Sequence, residues 1–266
     1  MYGQNPATAQ KLRGTLKQVM LVEANPNYGR MLSDMLRMLG AEQITLYRDH
    51  EEALDKASGV MYSLIVCSHQ LPECDALAFT TGLRRSNASC RKSPVITIAP
   101  EITMSLLNDI RDSGADEFMR KPFTWGDLQK RVEHVALKAR PWIEAVGYVG
   151  PDRRRFNSGD YTGPRKRASD NKDQKTAHIE QAVRILKAAF EQYNSDPLQA
   201  RRAMYAQLEV LVPACKTIAS QDFYNNVRII LNQLREEWPD LNEIRPAVAS
   251  LAAFMKIEDR RPSNAA

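Results

Sequence analysis

The spacing of apolar residues changes character once along this chain, and the change divides it. Over residues 15–138, short unbroken apolar runs alternate with stripes at helical spacing. Val19-Met20-Leu21-Val22, Leu64-Ile65-Val66-Cys67 and Val95-Ile96-Thr97-Ile98 are runs of the first kind. They suit strands buried on both faces of a sheet, where no polar alternation is required. Tyr28 to Leu39 carries Met31, Leu32, Met35, Leu36 and Leu39 on one face and is closed by Gly40, which predicts an amphipathic helix. Further pieces follow in alternation: a strand over residues 44–47, helices over 51–57, 76–84, 103–113 and 125–138, and a last strand over 117–119. Strands alternating with helices predict a parallel sheet covered on both faces.

Over residues 139–175 the periodicity disappears, and Gly, Pro, Arg, Asp and Ser dominate, so this stretch reads as a linker. The pattern then turns wholly helical. Four amphipathic stripes are predicted over residues 176–193, 197–218, 221–238 and 241–257, with Pro197 in a first turn and Pro239 as a stop. Short connections between them predict an antiparallel four-helix bundle over residues 176–259. Residues 1–14 and 260–266 are polar and read as disordered tails.

Composition narrows the class. The chain has 266 residues, 43% hydrophobic and 26% charged, as in an ordinary soluble protein of about two domains. Its apolar runs are all too short to span a membrane, and Met1 to Gln10 lacks the order of a signal peptide. A cytoplasmic protein with reduced cysteines is expected. Cys67, Cys74, Cys90 and Cys215 show no metal-type spacing, and His50, His69, His134 and His178 are scattered, so no cofactor and no metal are expected. The net charge of +5 is concentrated. Between Tyr148 and Arg167, Arg153, Arg154, Arg155, Arg165, Lys166 and Arg167 face only Asp152 and Asp160, a local anion-binding signal.

Four segments occur in an order that carries a resemblance: Val19-Met20-Leu21-Val22-Glu23-Ala24-Asn25-Pro26, then Ser63-Leu64-Ile65-Val66-Cys67-Ser68-His69-Gln70-Leu71-Pro72, then Pro94-Val95-Ile96-Thr97-Ile98-Ala99, then Gly114-Ala115-Asp116-Glu117-Phe118-Met119-Arg120-Lys121-Pro122-Phe123. Residues 15–138 thereby resemble the receiver domain of two-component response regulators. The resemblance implies strand order 2-1-3-4-5 and a phosphorylation site at the strands' ends. It also implies which positions do the work. The two adjacent acids that hold magnesium in the family correspond to Glu23 and Ala24. The phosphorylated aspartate corresponds to Ser68, and the hydroxyl residue that senses the phosphoryl group to Ala99. Lys121 is retained. Aspartyl phosphorylation needs a carboxylate nucleophile and a divalent cation, so a pseudo-receiver is expected, with Lys121 paired to Glu23. Phe118 occupies the family's aromatic switch position, on a face that docks partner proteins.

The arginine segment repeats itself. Tyr148-Val149-Gly150-Pro151-Asp152-Arg153-Arg154-Arg155 is echoed thirteen residues later by Tyr161-Thr162-Gly163-Pro164-Arg165-Lys166-Arg167. Arginine pairs with phosphate and stacks on planar rings, and aspartate accepts from the N1–H edge of guanine. The first copy resembles the arginine-rich tail of chemotaxis-regulator-like cyclic di-GMP effectors. That resemblance implies Asp152, Arg153 and Arg154 as ligand contacts, with Arg155 and Asp160 beside them. A solvated spacer and a contact to nucleic acid or membrane stay open for the same residues; without a broad basic face, nucleic acid is the less favoured partner.

No segment supplies nucleophile, base and oxyanion donors together, so a signalling adaptor is expected rather than an enzyme. It is expected to dock kinases, regulators or motor components. The competing reading is a phosphorelay component that uses His178 on the bundle. The residues after it, Ile179-Glu180-Gln181-Ala182, lack the Lys-Gly continuation of phosphotransfer domains.

Overall fold

The computed structural model describes residues 6–69, 75–101, 103–153 and 174–256. Of these, the residues up to Ile143 together with Tyr148–Arg153 form one compact unit; Glu144–Gly147 and the residues from Gln174 onward form another.

The first unit opens with helix α1 (Pro6–Thr15), where a disordered tail is expected from the sequence. Leu12 and Leu16 explain the difference, since both are wholly buried in the core beneath the sheet. Burying each is worth roughly 1.5–3 kcal/mol, enough to hold a short helix of weak amphipathic pattern. The expected α/β alternation follows: β1 (Gln18–Val22), α2 (Pro26–Met38), β2 (Gln43–Tyr47), α3 (His50–Ala57), β3 (Leu64–Ser68), α4 (Ala76–Arg85), β4 (Val95–Ala99), α5 (Met104–Ser113), β5 (Glu117–Arg120) and α6 (Trp125–Leu137). The strands form one parallel sheet in the order β2-β1-β3-β4-β5. Every residue of β3 and β4 is buried, as their unbroken apolar runs imply.

Capping side chains fix where the helices begin. Asn25 accepts from the backbone N–H groups of Asn27 and Tyr28, Asp75 from those of Leu77 and Ala78, and Thr124 forms a capping box with Asp127. Two cores line the sheet's faces. Met20, Ile65, Cys67 and Phe79 belong to one, Leu21, Val66, Ile98 and Val132 to the other.

A second departure begins at Pro141. Residues 139–153, read from sequence as the start of a linker, carry a hairpin of β6 (Trp142–Glu144) and β7 (Val149–Pro151). Two glycines let it approach. A Cβ on Gly114 (φ 93°) would lie 2.5 Å from the Val149 carbonyl oxygen, and one on Gly150 would lie 2.8 Å from the Gly114 Cα. Arg140 donates to the carbonyl oxygens of Asp116 and Asp152, and Asp152 N–H donates to Pro141 O at 2.7 Å. Beside the hairpin, Arg84 is wholly buried. Its guanidinium pairs with Asp116 at 2.9 Å and donates to the carbonyl oxygens of Gly114, Arg91 and Ser93. The Trp142 ring receives Arg84, Arg91 and Lys92 at 5.2, 5.8 and 5.8 Å.

The second unit contains α7 (Gln174–Glu191), α8 (Pro197–Ile218), α9 (Gln221–Arg235) and α10 (Leu241–Phe254). Each helix packs on two others, α7 on α8, α8 on α9, α9 on α10 and α10 back on α7, which closes a four-helix bundle. Val183, Leu186, Met204, Leu211, Ile230 and Leu251 are among its buried residues. α9 stops at Arg235, short of the Trp238 expected from the periodicity, because the chain turns before Pro239. α8 also grips the segment Glu144–Gly147: Gln199 Nε2 donates to Glu144 Oε1 at 3.0 Å and Gln207 Nε2 to Glu144 O at 3.1 Å. Residues 257–259, expected inside the bundle, lie outside the described residues.

Candidate functional site

Ligands of open α/β sheets bind beyond the carboxyl ends of the strands. There, the register places Ser68 beside Ile98 and Ala99 beside Arg120. Backbone bonds hold the rim: Glu23 N–H to Tyr47 O at 2.9 Å, His69 N–H to Ile98 O at 2.7 Å and Lys121 N–H to Ala99 O at 2.8 Å.

Glu23 is the centre of the site. Its side chain is wholly buried, and both carboxylate oxygens are taken. Oε2 accepts the Ser68 hydroxyl at 2.5 Å and the Lys121 ammonium at 3.1 Å, while Oε1 accepts the Asn25 backbone N–H at 3.0 Å. The ion pair expected between Lys121 and Glu23 is therefore present. Lys121 Nζ also lies 4.0 Å from the centre of the Tyr28 ring. Burial, and then the Glu23 charge, push the Tyr28 phenol up to about 12. A buried carboxylate persists only when paired and hydrogen-bonded, and this one has a cation and two neutral donors.

The sequence undercounts Ser68. Within its own segment its basic neighbour is His69, which adjacent strand positions turn to the opposite face, yet the fold brings Glu23, just beyond β1, within hydrogen-bond reach. The pairing does not make a nucleophile that substrate can meet, because Ser68 is wholly buried. Ala24 and Ala99 bring no side-chain oxygen to the site. Magnesium prefers carboxylates and water in an open octahedron, and the donor set does not fit it: a single carboxylate is already filled, with an ammonium bound to it. Among the described residues no group of three or more His, Cys, Asp or Glu could hold a metal ion. Thr97 Oγ1, buried two residues before Ala99, has no hydrogen-bond partner.

Other expected residues fall as follows. His69 Nδ1 is 3.8 Å from Asp75 Oδ1, away from any pairing with Ser68. Phe118 is half-buried, with the Arg131 guanidinium 5.8 Å over its ring and Arg131 held by Glu117 at 2.9 Å. His178 is exposed on α7. Asp152 is buried, and Arg153 is engaged within the first unit, 2.8 Å from Asp112 Oδ1 and 3.6 Å over the Tyr148 ring. Arg154, Arg155 and Asp160 lie outside the described residues.

The response regulator receiver domain family matches residues 19–133. Residues 19–133 are a response regulator receiver domain. The probable chemotaxis protein CheY of Rhizobium etli is 27% identical over 123 residues, covering 46% of this chain and 95% of that protein. The transcriptional regulatory protein PcoR of Escherichia coli is 28% identical over 137 residues, 49% of this chain and 56% of PcoR. The match thus spans little more than half of PcoR. A receiver domain of a sensor histidine kinase from Pseudomonas aeruginosa, solved with a magnesium ion in its active site cleft, is 26% identical with a TM-score of 0.41, covering 45% of this chain and 97% of that one. The family match ends at residue 133, so the hairpin and the helical bundle lie beyond it.

Proposed function

We propose that this receiver domain works without aspartyl phosphorylation, as a fixed docking module of a signalling adaptor. The observation that carries the reading is the hydroxyl of Ser68 at the end of β3, donating at 2.5 Å to a Glu23 carboxylate that Lys121 already neutralises. A hydroxyl there removes the carboxylate nucleophile, and the lysine's positive charge opposes entry of a second cation. With no phosphoryl group to sense, Ala99 costs the domain nothing, and Phe118 stays under Arg131 on a face that needs no switching. The adaptor is not an enzyme, and its partners are signalling proteins that recognise one conformation.

Incubation with acetyl phosphate and magnesium, followed by intact mass measurement, tests this directly. No mass gain is expected. A gain abolished by Ser68→Ala would sink the reading.

For Asp152 and Arg153 the geometry supports a structural role: Arg153 ties the hairpin to α5 through Asp112, and buried Asp152 is bonded through its backbone to Pro141 and Arg140. Cyclic di-GMP binding by these two residues requires that they leave those contacts. Calorimetry with cyclic di-GMP beside GTP and cyclic di-AMP measures whether they do; equal, salt-sensitive heats for all three leave only a basic segment.

A further inference from the structure

We propose that Trp238 anchors a docking surface on the helical bundle for a protein partner presenting an apolar pocket rimmed by lysine or arginine. The inference deepens the docking half of the proposed function and does not depend on the state of the Glu23 pocket.

Trp238 lies in the turn between α9 and α10 and is 86% exposed, more than any other large hydrophobic among the described residues. Scattered exposed apolar residues are normal and need no explanation. This one differs because the chain on either side is held in place. Arg201, from α8, donates through Nη2 to the carbonyl oxygens of Leu234 and Glu236 at 2.5 Å each, and through Nη1 to that of Glu237 at 3.2 Å. The Tyr205 hydroxyl adds a bond to Leu234 O at 2.5 Å. Beyond the tryptophan, Pro239 has a fixed φ, Asp240 N–H donates to Gln233 Oε1 at 2.9 Å, and Gln233 Nε2 donates to Glu243 Oε2 at 2.5 Å. Five hydrogen bonds on the backbone flanking one exposed indole make a presented group, not a loose loop. Ordering of the loop is completed on folding, so a partner does not have to supply it.

A second apolar group stands on the same helix face. Leu198 is 64% exposed and precedes Arg201 by three residues on α8, the spacing of neighbours on a helix surface.

Charge then selects the partner. Glu236, Glu237, Asp240 and Glu243 lie within eight positions, flanked by Arg235 and Arg245 and with Arg201 bound to the turn's carbonyl oxygens, so acids outnumber cations there by four to three. They are four of the nine acidic residues between 174 and 256, a stretch that otherwise carries more cations than acids. An indole set in such a rim fits a pocket whose edge is basic, since complementary rims steer association and suppress wrong partners. The same rim repels an anionic lipid surface and opposes a second copy of the turn.

The test pans the full chain against a displayed library of random peptides and measures the enriched peptides by titration. Enriched sequences are expected to place Lys or Arg around an apolar cluster. Trp238→Ala is expected to weaken their binding at least ~10-fold, as for an anchoring tryptophan. Trp238→Phe should retain part of it, and Glu236→Gln with Glu237→Gln should lower both affinity and salt sensitivity. Circular dichroism and thermal midpoint should not move in Trp238→Ala, because the residue is 86% exposed. Failure to enrich, enrichment of acidic peptides, or equal binding by Trp238→Ala overturns the proposal. So does a Trp238 emission shift on vesicles of phosphatidylcholine and phosphatidylglycerol, or self-association lost in Trp238→Ala. Acetyl phosphate treatment of the same samples reads the Glu23 pocket separately, so failure of one reading is distinguishable from failure of the other.

Discussion

Ser68→Asp is expected to turn a pocket indifferent to metal into one that needs a divalent cation for stability. Ser68 Oγ lies 2.5 Å from Glu23 Oε2, and both side chains are wholly buried. A carboxylate in its place meets another carboxylate about 3–4 Å away, a repulsion of about 4–5 kcal/mol at an effective dielectric near 20. Protonation limits the penalty: holding one carboxyl of ordinary pKa neutral at pH 7 takes about 4 kcal/mol. Lys121 offsets part of either route, so a loss of about 2–4 kcal/mol is expected at neutral pH. For a domain of this size that lowers the receiver's thermal midpoint by roughly 6–15 °C in chelator. Magnesium should recover it, by about 1.4 kcal/mol at ten times the dissociation constant. Thermal unfolding of wild type and variant, with chelator and with magnesium, decides the matter. A variant as stable as wild type in chelator, or a wild type that gains equally from magnesium, refutes the account of the pocket.

Other expectations rest on separate features. Burial is the larger influence on both Arg84 and Asp116, pushing the guanidinium's pKa down and the carboxyl's up, so neither charge survives well without the other. Asp116→Asn is expected to lower stability by about 3 kcal/mol in chemical denaturation, with a smaller loss when Arg84 is replaced by methionine as well. Gly150→Ala puts a Cβ 2.7 Å from Tyr148 Oη and 2.8 Å from Gly114 Cα, and should shift Trp142 emission to the red as the hairpin lifts. The Tyr28 phenol, raised to about 12, favours its neutral form in the fold. Its contribution is complete below about pH 10 and is lost as pH rises towards 12, so Tyr28→Phe should lose less stability than wild type across that window.

The alternation of apolar runs and helical stripes was sufficient to place every strand of the parallel sheet and every helix of the bundle, because each element buries a continuous face. α1 escaped that reading: its hold on the core comes from Leu12 and from Leu16 just beyond it, too few positions to establish a period. The hairpin escaped for a different reason. Gly150, Pro151 and Arg153 have the composition of a linker, and only the close approach of Gly114 to Gly150 shows why those glycines are needed. At the candidate site the Lys121–Glu23 pair was legible from the resemblance, which aligns Ala24, Ser68 and Ala99 with the family's working positions. The Ser68–Glu23 bond was not, since no spacing rule links two residues forty-five positions apart on neighbouring strands.

The ammonium on Glu23 has a consequence for how much one molecule can say. An ion and a phosphoryl group come and go, so a receiver that uses them can hold different values during its lifetime. Lys121 is attached to the chain it neutralises and never diffuses away. On the proposed reading each copy repeats one value from folding to degradation, and the variables that remain are the number of copies and what they are bound to. Control then belongs to synthesis, turnover and competition among partners.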